Sequence, residues 1–186
     1  MRIISGKAKG RKLKAPKPGT RPLTDRVREA LFNILAPRTA DSAFLDVFAG
    51  TGAVGIEALS RGARLSIFIE IDRQNLEVIR ENLRETGLLD SAEIFAIDAL
   101  RALKILGKKG AKFDIIFLGA PYGSRALDPC LEFIGASGLL APAGVAIAEH
   151  HKKSSLRETF GRLKKFREER YGDTQLAFYE NSDLSR

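Results

Sequence analysis

The residues best able to do chemistry sit at successive turns of the first two thirds of the chain. Asp46-Val47-Phe48-Ala49-Gly50-Thr51-Gly52-Ala53-Val54-Gly55 contains a complete G-x-G-x-x-G run. Its physical use is to let backbone approach a ligand closely and to aim helix N-terminal N–H groups at it. Dinucleotide oxidoreductases use the same run to hold a pyrophosphate. Asp46 separates the two readings. A carboxylate just ahead of the glycines would repel a pyrophosphate, whereas it suits the ammonium and sulfonium charges of S-adenosylmethionine.

Two further acids follow. Phe68-Ile69-Glu70-Ile71-Asp72 places a carboxylate about twenty residues beyond the first glycine, where its two oxygens can take both ribose hydroxyls. Glu70 is the expected ribose ligand, and Asp72 the expected cap of the next helix. In Ala96-Ile97-Asp98-Ala99-Leu100, Asp98 is placed to accept from an adenine exocyclic amine, with capping of its own helix as the alternative. The expected cofactor set is therefore Asp46, Phe48, Gly50, Gly52, Gly55, Glu70, Ile71, Asp98 and Ala99.

These residues need strand ends and helix starts to hold them. From Ala43 onward short apolar runs alternate with amphipathic stretches, which implies repeated strand-helix units and a mostly parallel sheet covered on both faces. The expected strands are Ala43–Val47, Leu65–Ile69, Ala92–Ala96, Phe113–Leu118 and Gly144–Ala148, with helices near Ala53–Ser60, Arg73–Glu85, Ala99–Leu106 and Ala126–Ser137. Phe166–Tyr171 and Thr174–Tyr179 around Gly172-Asp173 read as a closing antiparallel hairpin. Upstream, Thr24 or Asp25 opens a helix through Leu35, with Val27, Leu31, Ile34 and Leu35 on one face. Arg2 to Leu13, with Gly6 and Gly10, reads as a small β-hairpin arm outside the core, joined by a connector holding Pro16, Pro18, Gly19 and Pro22.

Charge is distributed unevenly. The chain has 186 residues and a net charge of +8. From Met1 to Arg38 there are 11 Lys and Arg against two acids, and the remainder carries 20 bases against 21 acids. A basic end on a nearly neutral body is the footprint of phosphate binding through counterion release. Arg2, Lys7, Lys9, Arg11, Lys12, Arg21, Arg26 and Arg28 are the expected contacts to nucleic-acid phosphates. Lys152, Lys153, Arg162, Lys164 and Lys165 read as an extension of that surface or as a solvated face. The chain divides at 1–38, a basic arm and helix packed on the main domain, and 39–186, the ligand-binding domain.

A single cysteine, Cys130, excludes an intrachain disulfide and reads as a small core residue. No apolar run approaches membrane-spanning length, and Met1 to Thr20 lacks a signal-peptide core, so a cytoplasmic protein with no membrane partner is expected. His150 and His151 alternate across a strand and cannot readily share an ion, so no metal is expected.

Taken together, Asp46 to Gly55, Glu70, Asp98 and Gly119-Ala120-Pro121-Tyr122 resemble the class I methyltransferases. Arg2-Ile3-Ile4-Ser5-Gly6, Gly10-Arg11-Lys12-Leu13, the run from Arg21 to Leu35, Leu59-Ser60-Arg61-Gly62-Ala63 and Tyr171-Gly172-Asp173-Thr174 narrow the likeness to the bacterial 16S ribosomal RNA guanine-N2 methyltransferase family. The resemblance implies a Rossmann-like α/β fold with a seven-stranded sheet, S-adenosylmethionine as cofactor, and 16S ribosomal RNA or a small-subunit assembly particle as partner. It also implies methylation of one guanine amine, at nucleotide 966 of that RNA. A monomer is expected.

In that family the catalytic segment is Asp, Asn or Ser, then Pro-Pro, then an aromatic residue. An exocyclic amine is a poor nucleophile while its lone pair is delocalised, so acceptors must hold its hydrogens and aim the pair at the methyl carbon. The aromatic residue stacks on an extruded base. Here Tyr122 and Pro121 match, and Gly119-Ala120 departs by lacking the side-chain acceptor. Backbone carbonyls at Gly119 and Ala120, or a carboxylate such as Asp128 or Glu149, are candidates to replace it. The departure also keeps open a binding-only assembly protein of the same fold. A nicotinamide-dependent oxidoreductase is disfavoured by Asp46 and the basic N-terminus.

Overall fold

A computed structural model describes residues 1–14 and 22–182. Its elements run α1 (Asp25–Thr39), β1 (Ala43–Val47), α2 (Ala53–Ser60), β2 (Leu65–Ile69), α3 (Arg73–Thr86), β3 (Ala92–Phe95), α4 (Ala99–Lys108), β4 (Phe113–Leu118), α5 (Leu127–Ser137), β5 (Leu140–His151), β6 (Thr159–Phe160), β7 (Leu163–Tyr171) and β8 (Thr174–Asn181). The helices begin where side chains supply acceptors for otherwise orphaned N–H groups. Thr24 caps α1, Asp72 caps α3 through Gln74 and Asn75, and Asp98 caps α4.

The strands form one sheet in the order β3-β2-β1-β4-β5-β8-β7-β6. The first five are mutually parallel and the last three antiparallel. β1 lies between β2 and β4, so the strand order reverses there. A ligand crevice forms outside the strand C-termini at such a point.

Alternation along β1 explains the two halves of the core. Leu45 and Val47 face α4 and α5, in a cluster with Ile67, Ile69, Leu103 and Leu131. Phe44 faces the other way, with Phe32, Ile56, Phe68 and Ile79. Asp46 shares the side of Phe44 by the same period of two, which directs its carboxylate at α2. β1 is buried along its whole length, as expected of a parallel strand covered on both faces.

Three expectations change. The described sheet has eight strands, because the two-residue β6 adds to the closing hairpin. β5 runs over Leu140–His151, well beyond Gly144–Ala148, since Leu140 pairs with Phe113 of β4 at one end and Glu149 to His151 pair with β8 at the other. The N-terminal segment is part of the core: Ile3, Ala8 and Leu13 are buried in the same cluster as Phe32 and Phe44. It turns back on itself through Ile3 N–H to Arg11 O and Gly10 N–H to Ile3 O, both 2.9 Å, with one antiparallel pairing of Arg2 and Lys12. Among the described residues no helix is long and apolar enough to cross a membrane.

Candidate active site

A cleft of about 530 Å³ opens at the strand C-termini, within the range of small-molecule sites. Its floor is the turn after β1. Phe48, Gly50 and Gly52 all take left-handed backbone, with φ of +64°, +56° and +76°. For Phe48 this is a strained conformation of the kind stored at functional turns. A Cβ on Gly50 would meet nothing within 4 Å, so that backbone faces open space.

Glu70, one residue beyond β2, secures this turn. Its Oε2 accepts from Gly50 N–H, and its Oε1 from Ile71 and Asp72 N–H, each at 2.8 Å. A half-buried carboxylate thus orders both the glycine loop and its own turn. Ile71 beside it is 67% exposed and lines the cleft. Asn75, in the first turn of α3, also lines it; it is 8% exposed, and its Oδ1 is buried without a hydrogen-bond partner.

The opposite wall is the turn after β4. Gly119 N–H donates to Val47 O at 3.1 Å, which holds the turn against β1. Tyr122 donates its hydroxyl to Glu149 Oε1 at 2.9 Å and shares a 2.9 Å hydrogen bond with Thr174 Oγ1. Its ring meets His151 edge-on, with centroids 5.4 Å apart. Glu149 is 9% exposed and lines the cleft.

The cleft therefore brings together Phe48, Gly50, Glu70 and Ile71 of the expected cofactor set with Gly119, Ala120, Pro121 and Tyr122. The other cofactor candidates stand behind or beside it. Asp46 is 1% exposed, and its Oδ2 accepts from Gly55 N–H at 2.9 Å. Burial pushes its carboxyl up to about 8; the Gly55 bond opposes this and the nearby Glu70 charge adds to it. Gly55 carries α2 against β2, since a Cβ there would lie 2.4 Å from Phe68 Cε1. Gly52 opens α2, and Ala99 is buried in the first turn of α4. Asp98 is exposed and takes Arg101 N–H at 3.0 Å, the capping alternative. Asp128 is exposed and paired with Arg157.

Asp72, Asn75 and Glu149 complete the lining. Asn75 gave no sequence signal, because an asparagine in a helical first turn reads as solvated.

The basic residues divide in the same way. Arg2, Lys7, Lys9, Arg11, Lys12 and Arg26 are exposed, and Arg21 lies outside the described residues. Arg28 is fully buried and is withdrawn from the phosphate contacts. It pairs with Asp25 and lies 3.6 Å from Glu57, itself fully buried. Glu57 accepts from Ile4 N–H at 2.9 Å, Ser5 N–H at 3.0 Å and Arg61 Nε at 2.7 Å. The N-terminal hairpin thus docks on the C-terminal end of α2. Arg11 reaches Glu85 O at the end of α3, and Lys14 pairs with Glu81.

Among the described residues, no group of three or more His, Cys, Asp and Glu is arranged to hold a metal. His150 is 3.5 Å from Glu168 while His151 faces Tyr122. Burial pushes the Cys130 thiol up to about 12, as befits a core residue.

Comparison with known proteins bears on this geometry. A family model described as "Conserved hypothetical protein 95" matches residues 1–180. A relative from Bacillus subtilis (strain 168) named "Putative rRNA methyltransferase YlbH" is 41% identical over 181 residues, 97% of this chain and 98% of its own. "Ribosomal RNA small subunit methyltransferase D" of Escherichia coli (strain K12) is 38% identical over 157 residues, covering 84% of this chain and 77% of its own. The solved structure described as "Putative methyltransferase yhhF from Escherichia coli" superposes with a TM-score of 0.86 at 34% identity, over 97% of each chain.

Proposed function

Since this chain belongs to the conserved hypothetical protein 95 family, whose relatives include ribosomal RNA methyltransferases, we propose that it methylates 16S ribosomal RNA. In this reading S-adenosylmethionine gives the methyl group, and the acceptor is the exocyclic N2 amine of a guanine, at nucleotide 966. The observation that carries the reading is the charge of the cleft. Among the described residues its lining holds Glu70, Asp72 and Glu149 beside a glycine turn, and no Lys or Arg. Such a wall disfavours the pyrophosphate of a nicotinamide dinucleotide and favours a cationic ligand.

The residues present fit that ligand. Glu70 supplies carboxylate oxygens for ribose hydroxyls, exchanging some of its backbone N–H bonds for them. Ile71 offers an exposed apolar face to a purine, and the orphaned Asn75 Oδ1 offers an acceptor. Asp46 acts from behind by holding Gly55, and Asp98 by capping α4. When bound, S-adenosylmethionine supplies an electrophilic methyl carbon. Tyr122 and Pro121 then form the platform for the extruded base, and the turn at Gly119-Ala120 positions its amine. The exposed Arg2, Lys7, Lys9, Arg11, Lys12 and Arg26 serve phosphate contacts.

The missing side-chain acceptor at Gly119 favours a second reading, in which the chain binds RNA during small-subunit assembly without turnover. One experiment divides the two. Purified protein, tritiated S-adenosylmethionine and small-subunit particles lacking the modification should give label that digests to N2-methylguanosine. Label absent under saturating conditions, with RNA still bound, supports the assembly protein.

A further inference from the structure

Gly119 has no side chain, yet the space beside it already holds a carboxylate. β4 and β5 run in parallel register, Phe117 beside Ile147 and Leu118 beside Ala148. The next step along each strand brings Gly119 alongside Glu149. A Cβ built on Gly119 would stand 3.0 Å from Phe117 Cε1, at the edge of a ring that must give by a few tenths of an ångström, and 3.4 Å from Glu149 Oε2. A carboxyl projecting from position 119 would enter the region that the Glu149 carboxylate occupies from the neighbouring strand. The hydrogen bond from Tyr122 to Oε1 fixes that carboxylate relative to the aromatic ring. An amine on a base stacked at Tyr122 therefore meets an anionic oxygen at the end of β4, delivered by β5.

We infer that Glu149 is the catalytic acceptor for the target amine, with its Oε2 taking the hydrogen bond that an acidic residue at position 119 would otherwise take. This rests on the methyltransferase reading above. As the amine nitrogen bonds to the methyl carbon, the carbon–sulfur bond breaks with its electron pair passing to sulfur. The nitrogen then gives up one hydrogen as a proton, through Glu149 to water. Methylation thus proceeds without a side chain at 119.

Glu149→Gln tests this, because the amide keeps an acceptor for Tyr122 and loses the anionic oxygen. The expected result is a fall of about 10²-fold in kcat. S-adenosylhomocysteine, which lacks the sulfonium charge, should still bind, with a calorimetric affinity and a KM for RNA that change far less than kcat. Gly119→Asp in the Glu149→Gln background should restore most of the rate, whereas Gly119→Asp alone crowds two carboxylates and gains nothing. A Glu149→Gln protein with unaltered kcat overturns the assignment. A doubly substituted protein that folds and binds S-adenosylhomocysteine without regaining rate also counts against it. If the unsubstituted protein transfers no methyl, the methyltransferase reading falls, and this role with it. If it transfers and the variant matches it, only the role of Glu149 falls.

Discussion

Glu70 and Glu57 make the same kind of contact in two different places. Each carboxylate gathers backbone N–H groups: Glu70 those of Gly50, Ile71 and Asp72, Glu57 those of Ile4 and Ser5. Glu70 does so at the rim of an open cleft that, among the described residues, has no cation in its lining. Glu57 does so under full burial, with Arg28 and Arg61 against it. A half-exposed acceptor can trade partners with a ligand. A buried one paired with guanidinium is a clamp, because releasing it strands a charge in the interior. Burial, rather than residue type, makes one acid part of a site and the other part of the frame.

The largest effect should separate the two directly. Glu57→Ala removes the buried carboxylate against Arg28, leaving it only the half-exposed Asp25, and is expected to cost about 3–5 kcal/mol. It should also release protection of the Ile3 and Ala8 amides in hydrogen exchange. Glu70→Ala, whose N–H partners can turn to water, should cost on the order of 1–2 kcal/mol. Chemical denaturation of both variants measures this, and the reverse order would break the comparison.

Glycine substitutions sharpen it further. Gly6 and Gly50 share left-handed backbone, but a Cβ on Gly6 would lie 1.8 Å from Ser60 O whereas one on Gly50 meets nothing. Gly6→Ala should therefore be more destabilising than Gly50→Ala, by about 1–3 kcal/mol. Equal melting temperatures would show that the hairpin is not seated on α2 as described.

Asp46 is the intermediate case, buried like Glu57 but with a backbone N–H in place of a cation. Its carboxyl is raised from 3.8 to about 8, chiefly by burial. Between those values the folded chain holds a proton that the unfolded chain has lost. Stability should then fall as pH rises through that window and level off above it, by about 1 kcal/mol from pH 6 to 7. Asp46→Asn keeps an acceptor for Gly55 and should flatten the slope. A slope unchanged in that variant would assign the effect elsewhere.

The sequence made the strand tips legible because its short apolar runs, rich in β-branched and aromatic residues and bounded by turn residues, read as buried strands, and each ends on an acid or a glycine turn. β1, β2, β4 and α2 have the expected bounds for this reason. Which acid does what was harder, since it depends on side-chain direction. Alternation from Phe44 was available to turn Asp46 away from the cleft, and Asp98 followed its local preference for capping. Counting charges at the N-terminus misplaced Arg28, although its spacing from Leu31, Phe32 and Leu35 already put it on the buried stripe of α1. Glu57 carried a similar sign, as the lone acid of an otherwise apolar helix. The burial of Ile3, Ala8 and Leu13 depends on a tertiary partner, the end of α2, that no local pattern reveals.

Calorimetric titration of S-adenosylmethionine into the protein and into Glu70→Ala tests the central claim most directly. Saturable binding that weakens about 10- to 100-fold in the variant, with a cooperative melt retained, is the expected result. Equal affinity in both proteins, or preferential binding of a nicotinamide dinucleotide, would contradict it.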